Sequence, residues 1–171
     1  GFYENQQGKP FVGAAGKFLD ELLAEAGLER EKVFITNVVK CRPPGNRDPQ
    51  AEELEACKPF LERQIGAINP DVIVTLGRIS MGYFVNNGKI SSIHGHSFWS
   101  SGRMVVPMYH PAAALHQPSL RNVVKSDFAG LPELITKAKE TRKNNPELIS
   151  MSLEEREEDQ DDSGTEQLSL F

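Results

Sequence analysis

Two short runs, Val33-Phe34-Ile35-Thr36-Asn37-Val38-Val39 and Val72-Ile73-Val74-Thr75-Leu76-Gly77, constrain this chain most. Both are β-branched and almost continuously apolar, so each reads as a strand covered on both faces. Helical patterns separate them. Ala15, Phe18, Leu19, Leu22, Leu23 and Ala26 follow the i, i+3, i+4, i+7 spacing of an amphipathic helix over 14–26. Gly27 can close it in the left-handed conformation. Asp48-Pro49 reads as the N-cap and first position of a helix over 49–68, with a kink expected at Pro59. A short helix is expected over 78–85, a hairpin of 94–99 with 103–108 around Ser100-Ser101-Gly102, and a final helix over 123–140. Strands alternating with helices predict an α/β fold with a mainly parallel sheet, whose site lies at the carboxyl ends of the strands.

The chain has 171 residues, 39% of them apolar and 25% charged, which suits one globular domain over 1–145. No apolar run is long enough to cross a membrane, and no signal peptide is visible. Cys41 and Cys57 cannot form a disulfide framework, so a reducing, cytoplasmic setting is expected. The net charge of −5 conceals an asymmetry. Residues 1–145 carry 18 Lys/Arg against 15 Asp/Glu, whereas 146–171 carry one Arg against nine Asp/Glu. The mildly basic body permits nucleic-acid binding without requiring it. The acidic segment lacks apolar periodicity and is expected to be a disordered tail.

Several residues can carry chemistry, each beside a plainer reading. Cys41 and Cys57 stand sixteen apart, one in a Pro-rich loop and one on the following helix. They are either two free thiols or half of a metal or cluster site, which needs four ligands. His110 and Asn37 both fall at or just past expected strand ends. His110 precedes Pro111, in a proline-set turn. Asn37 either makes a structural hydrogen bond or reads a base edge. Phe11, in the glycine-bracketed loop Gly8–Gly13, is either a core residue or a stacking platform.

Four stretches taken together resemble the family 4 uracil-DNA glycosylases, which carry a [4Fe–4S] cluster. They are residues 8–17 (GKPFVGAAGK), 35–47 (ITNVVKCRPPGNR), 57–61 (CKPFL) and 109–113 (YHPAA). The resemblance covers roughly residues 1–140 and implies a three-layer α/β/α sandwich. It implies that Phe11 stacks on flipped uracil and that Asn37 hydrogen-bonds its polar edge. Glu4 would sit near C5 and exclude thymine, and His110 would donate to uracil O2. Leu115 would insert into the DNA, and Cys41 and Cys57 would supply the second pair of cluster ligands. Lys40, Arg42 and Arg47, clustered around Cys41, are candidate phosphate contacts. Gly1 matches the last glycine of the family's Gly-Glu-(Ala/Gly)-Pro-Gly loop. The first strand, the first two cysteines and part of the uracil pocket are therefore expected upstream, and this chain alone is expected to be inactive.

The implied function is base-excision repair of uracil-containing DNA by a monomer working near the nucleoid. Three rivals remain. One is a glycosylase of broader specificity. Another is a non-catalytic DNA-binding module related to phage polymerase-associated domains. The weakest is a nucleotide-binding protein hinted at by Leu76-Gly77-Arg78, which no Gly-x-Gly-x-x-Gly pattern supports. The final residues Gln167, Leu168, Leu170 and Phe171 follow the acidic stretch and resemble the bacterial sliding-clamp motif Gln-Leu-x-Leu-Phe, implying a clamp-docking peptide.

Overall fold

The computed structural model describes residues 2–86 and 88–150. Helices α1 (Phe2–Gln7), α2 (Ala14–Glu25) and α3 (Ala51–Ile68) precede strand β1 (Val72–Leu76). Helices α4 (Arg78–Phe84) and α5 (Ile90–Ile93) lead to the hairpin of β2 (Phe98–Ser100) and β3 (Arg103–Met108). Helices α6 (Pro111–His116), α7 (Leu120–Ala129), α8 (Leu131–Asn144) and α9 (Glu147–Ser150) follow.

The sheet order is β1-β3-β2. β1 and β3 are parallel, in register from Val72 opposite Met104 to Leu76 opposite Met108. β2 runs antiparallel to β3. The hairpin turn has Ser101 at φ 47° and Gly102 at φ 69°, the two left-handed residues that match strand twist in a two-residue loop. Every residue of β3 is buried, and its side chains alternate between two apolar clusters. Met104, Val106 and Met108 pack with Phe18, Leu22, Val124, Phe128 and Leu131 of α2, α7 and α8. Val105 packs on the other face with Leu61, Ile65 and Phe84 of α3 and α4. Helices on both faces of a central strand make the three layers the sequence implied.

Several local expectations change. Residues 33–39 form no strand and no ladder among the described residues. They line a cleft of about 1070 Å³ together with β1, from Val72 to Leu76. The segment has the composition of a strand but pairs with neither β1 nor another described strand. The helix expected from Pro49 starts at Ala51, with Gln50 as its N-cap. The Gln50 amide donates to Glu53 Oε2 at 2.8 Å, while Asp48 pairs with Arg78 instead of capping. Helix α3 runs on through Pro59 as one element. The helix expected over 123–140 is two, because Pro132 lacks the N–H that would bond back to Phe128, and the chain breaks at Gly130. Of 94–99 only Phe98 and Trp99 pair as a strand, which runs on to Ser100.

The segment expected to be disordered from residue 146 begins with α9. Its Leu148 carbonyl lies where a Cβ on Gly102 would sit, and its Ile149 carbonyl accepts from Asn69 Nδ2 at 3.3 Å. Residues 151–171, with the peptide 167–171, lie outside the described residues, as does Gly1.

Below the sheet, two buried arginines meet. Arg142 donates to the carbonyls of Asn69 and Pro70, to Asp71 Oδ1 at 2.7 Å and to Asn69 Oδ1 at 2.8 Å. Arg103 donates to the Ser101 carbonyl and to the same Asn69 oxygen. Burial, and then the charge of Arg142, lower the pKa of Arg103. Asn69, left-handed at the C-cap of α3, is the shared acceptor that lets both guanidinium groups stay. Arg142→Ala should cost about 2–3 kcal/mol by urea denaturation, because Asp71 and the carbonyls of Asn69 and Pro70 lose a donor and Asn69 Oδ1 keeps only Arg103, while relief of repulsion on Arg103 offsets part of the loss.

Candidate active site at the carboxyl end of the sheet

The parallel register carries two chain segments side by side out of the sheet. β1 continues into Gly77 and β3 into Tyr109-His110-Pro111. The Gly77 amide donates to the Met108 carbonyl at 2.8 Å. Gly77 has φ 86°, and a Cβ there would stand 3.1 Å from the Cβ of His110. The missing side chain is what lets His110 seat against β1.

His110 is the N-cap of α6, and its Nδ1 accepts from the Ala112 amide at 3.1 Å. An accepting Nδ1 fixes the neutral tautomer with the proton on Nε2. Burial lowers the pKa of the ring below the ordinary histidine value, which keeps it neutral. The site thus holds a neutral N–H donor.

Opposite it, Phe11 lies against the imidazole, with ring centroids 5.3 Å apart and planes at 22°. Phe11 has φ 55°, a conformation costing about 1–3 kcal/mol for a bulky residue unless its surroundings impose it. Three contacts impose it. Glu4 Oε1 accepts from the amides of Val12 and Gly13 at 3.2 Å each. Arg30 donates to the carbonyls of Pro10 and Phe11 at 3.0 and 3.2 Å. Gly16 leaves room for the Phe11 carbonyl, which would stand 1.9 Å from any Cβ at that position. Burial works to raise the Glu4 pKa, yet hydrogen bonds from its own backbone, Gly13 and Val12 outweigh it and hold the carboxyl below its usual value. Sequence reasoning missed Arg30 and Gly16, whose roles come from contacts no local motif announces.

Glu4, Phe11, Asn37, Lys40, Cys41, Arg42 and His110 all line the one cleft; Arg47, Cys57 and Leu115 do not. Asn37 is exposed toward the cleft instead of buried in a paired strand, and its carbonyl accepts from Lys40 Nζ at 2.8 Å. Lys40 also donates to Thr36 Oγ1 and Gln64 Oε1, tying the 36–40 segment to α3. Burial lowers the Lys40 pKa, partly countered by Cys57. Arg42 donates to Asn46 Oδ1 at 2.6 Å. Arg47 makes a two-pronged pair with Glu53 at 2.8 Å, and that bond, with the Gln50 amide, holds the Glu53 carboxyl at about 2. Leu115, on α6, is 39% exposed.

Cys41 and Cys57 are free thiols, and Cys57 Sγ accepts from the Lys40 amide at 3.2 Å. This brings the second cysteine to the residue before the first, an arrangement that fits half of a four-thiolate cluster site. Among the described residues, no group of three or more His, Cys, Asp or Glu is placed to hold a metal ion. No described helix is long and apolar enough to cross a membrane.

The fold and site define a class: an α/β protein whose pocket, beyond the strand ends, offers a planar ligand an aromatic face and a neutral N–H donor. A profile of the Uracil DNA glycosylase superfamily matches residues 1–129. A type-4 uracil-DNA glycosylase of Sulfurisphaera tokodaii is 50% identical over 141 residues, covering 77% of this chain and 64% of the relative. One from Archaeoglobus fulgidus is 48% identical, covering 81% and 74%. A DNA polymerase of Bacillus phage SP01 is 32% identical over 134 residues, 78% of this chain but 14% of the polymerase. The chain belongs to the uracil-DNA glycosylase superfamily, and within it to the type-4 family. It spans just under two thirds of the length of the Sulfurisphaera relative.

Burial of His110 gives a titration test. Its folded pKa lies below its unfolded one, so the unfolded chain binds more protons between the two. The stability this group allows is complete above the unfolded value and falls as pH drops toward the folded one. Imidazole 15N NMR should show Nδ1 unprotonated, Nε2 protonated, and protonation only below the ordinary histidine range. A midpoint at or above that range would contradict the buried neutral ring.

Proposed function

We propose that the protein is a uracil-DNA glycosylase that releases uracil from DNA at the first step of base-excision repair. The observation that carries the proposal is the neutral His110 Nε2–H donor set against Phe11 in the cleft. A base inside a duplex cannot reach such a pocket, so the nucleotide is extruded first. Its ring lies against Phe11, and an edge meets the exposed amide of Asn37, whose donor and acceptor order distinguishes uracil from cytosine. As the C1′–N1 bond breaks, negative charge grows on the uracil ring. His110 Nε2–H stabilises that charge at O2 by a hydrogen bond, keeping its proton, so the ring stays neutral. The C1′–N1 electron pair leaves with the base as an anion, and water adds to C1′ and loses a proton to solvent. Glu4 serves as the anchor of the Phe11 loop and as a wall beside C5.

Cys41 and Cys57 would supply two of the four thiolates of a [4Fe–4S] cluster. The cluster would serve structurally, fixing the loop between them beside the DNA. Lys40, Arg42 and Arg47 border that loop and Leu115 stands exposed on α6, which supports a DNA-facing surface there. Residues 33–40 and β1 line this cleft without pairing, so its floor is open to a bound nucleotide.

The experiment uses the full-length protein: iron and sulfide are measured, and single-turnover uracil release is compared for wild type and His110→Ala. Release should fall about 10²–10³-fold with DNA affinity little changed. Unchanged turnover would remove His110 from the mechanism. The similarity to part of a phage DNA polymerase favours one alternative, a DNA-binding module without chemistry; DNA binding with no base release by wild type would select it.

The reading extends to residues 167–171. Three large apolar side chains after an acidic run suit a peptide that docks in a sliding-clamp pocket. A peptide of residues 160–171 should bind the cognate clamp, and the same peptide with Leu170 and Phe171 changed to Ala should not. Equal binding by both would end that part of the proposal alone.

A further inference from the structure

His94 and Asp127 form a pair that the site described above does not use. His94 Nδ1 lies 2.8 Å from Asp127 Oδ2, and the two side chains are 26% and 11% exposed. One partner follows α5 and the other is on α7, thirty-three residues apart. The pair is packed from two sides. Gly95 has φ 74°, and a Cβ there would stand 2.7 Å from Asp127 Oδ1, so the chain at 94–95 is pressed onto the carboxylate. The Gly95 amide donates to the Pro107 carbonyl at 2.8 Å, which fastens this segment to the last turn of β3. The His94 ring lies on Tyr109, centroids 4.8 Å apart at 41°. Tyr109 is the residue before His110.

The imidazole of His110 is hydrogen-bonded by backbone alone. Its hydrogen bond at Nδ1 is one backbone amide at 3.1 Å, and no carboxylate bonds to it among the described residues. Many histidine sites fix the ring with a directly bonded acid. Here the direction of Nε2 depends on where residues 107–110 leave the sheet. Gly77 bounds that exit on the β1 side, and the His94–Asp127 pair bounds it on the other.

We infer that Asp127 and His94 are positioning residues for His110: Asp127 fixes the His94 ring, and the ring holds Tyr109 so that His110 Nε2 points into the cleft. This rests on the glycosylase reading for its effect on rate, but not for its effect on the histidine itself. Asp127 accepts from His94 Nδ1–H, so the pair transfers no proton to the substrate.

The test uses the full-length protein with Asp127→Ala, Asp127→Asn and His94→Phe, each shown to be folded by thermal melting. Asp127→Ala should slow single-turnover uracil release about 10–100-fold, the cost of a small misplacement at a reacting centre. Its Kd for DNA carrying a non-cleavable uracil nucleotide should change less than about twofold. Asp127→Asn keeps an acceptor for Nδ1–H and His94→Phe keeps a ring on Tyr109, so both should recover part of the rate. The His110 imidazole 15N signals should change from one fixed tautomer to an exchange-averaged pair in Asp127→Ala. A folded Asp127→Ala with wild-type rate and an unchanged His110 spectrum would overturn the inference. So would rate and affinity falling together, which marks a purely structural pair. Should wild type release no uracil, the glycosylase reading fails, and the His110 spectrum alone decides this one.

Discussion

The parallel pairing of β1 with β3 is the constraint on which the site depends. Its register ends with Leu76 opposite Met108, so Gly77 and the segment leading to His110 emerge together. Only a residue without a side chain at 77 lets the histidine settle there. The same pairing buries β3 on both faces, with Met104, Val106 and Met108 on one and Val105 on the other. Close packing of this kind resists small displacements, which a histidine held by one backbone hydrogen bond and one stacked ring requires of its scaffold.

Charge in this molecule is largely spent on placing backbone. Glu4 and Arg30 grip opposite polar groups of the same short loop, amides at 12 and 13 and carbonyls at 10 and 11. Together they hold Phe11 in a left-handed conformation that a free chain would abandon. Lys40 collects three oxygens from Thr36, Asn37 and Gln64 and so sets the height at which Asn37 presents its amide. Asn69 does the same at the other pole, accepting from two guanidinium groups at once.

Much of this was legible in the sequence where the signal is local. The turn at Ser101-Gly102 and the periodicity over 14–26 each carry their own physical cause and form as read, whereas the run 72–77 forms a strand that lines the cleft and is only partly buried where both faces were expected to be covered. The run 33–39 shows the limit: β-branched composition favours an extended chain, but a ladder needs a strand to bond with, and no described strand pairs with it. Pro132 was a visible stop that the apolar pattern across 123–140 obscured. Asn37 looked buried because its neighbours are apolar, yet a segment with one open side exposes it. Arg30, His94 and Asp127 left no trace, and Gly16 stood in the 8–17 stretch with no role attached, since each matters through a partner that only the fold brings near.

Helix α9 docks at the amino-terminal ends of the strands, against Asn69 and Gly102, and so fixes where the acidic segment departs. That pole faces away from His110. A body of this size has a radius of gyration of about 15 Å. The departing charges therefore start several Debye lengths from the cleft, the Debye length being about 8 Å at physiological salt. However residues 151–166 are arranged, they can span no more than about 55 Å. That length, by covalent geometry alone, bounds how far residue 167 can stand from the docked end of α9.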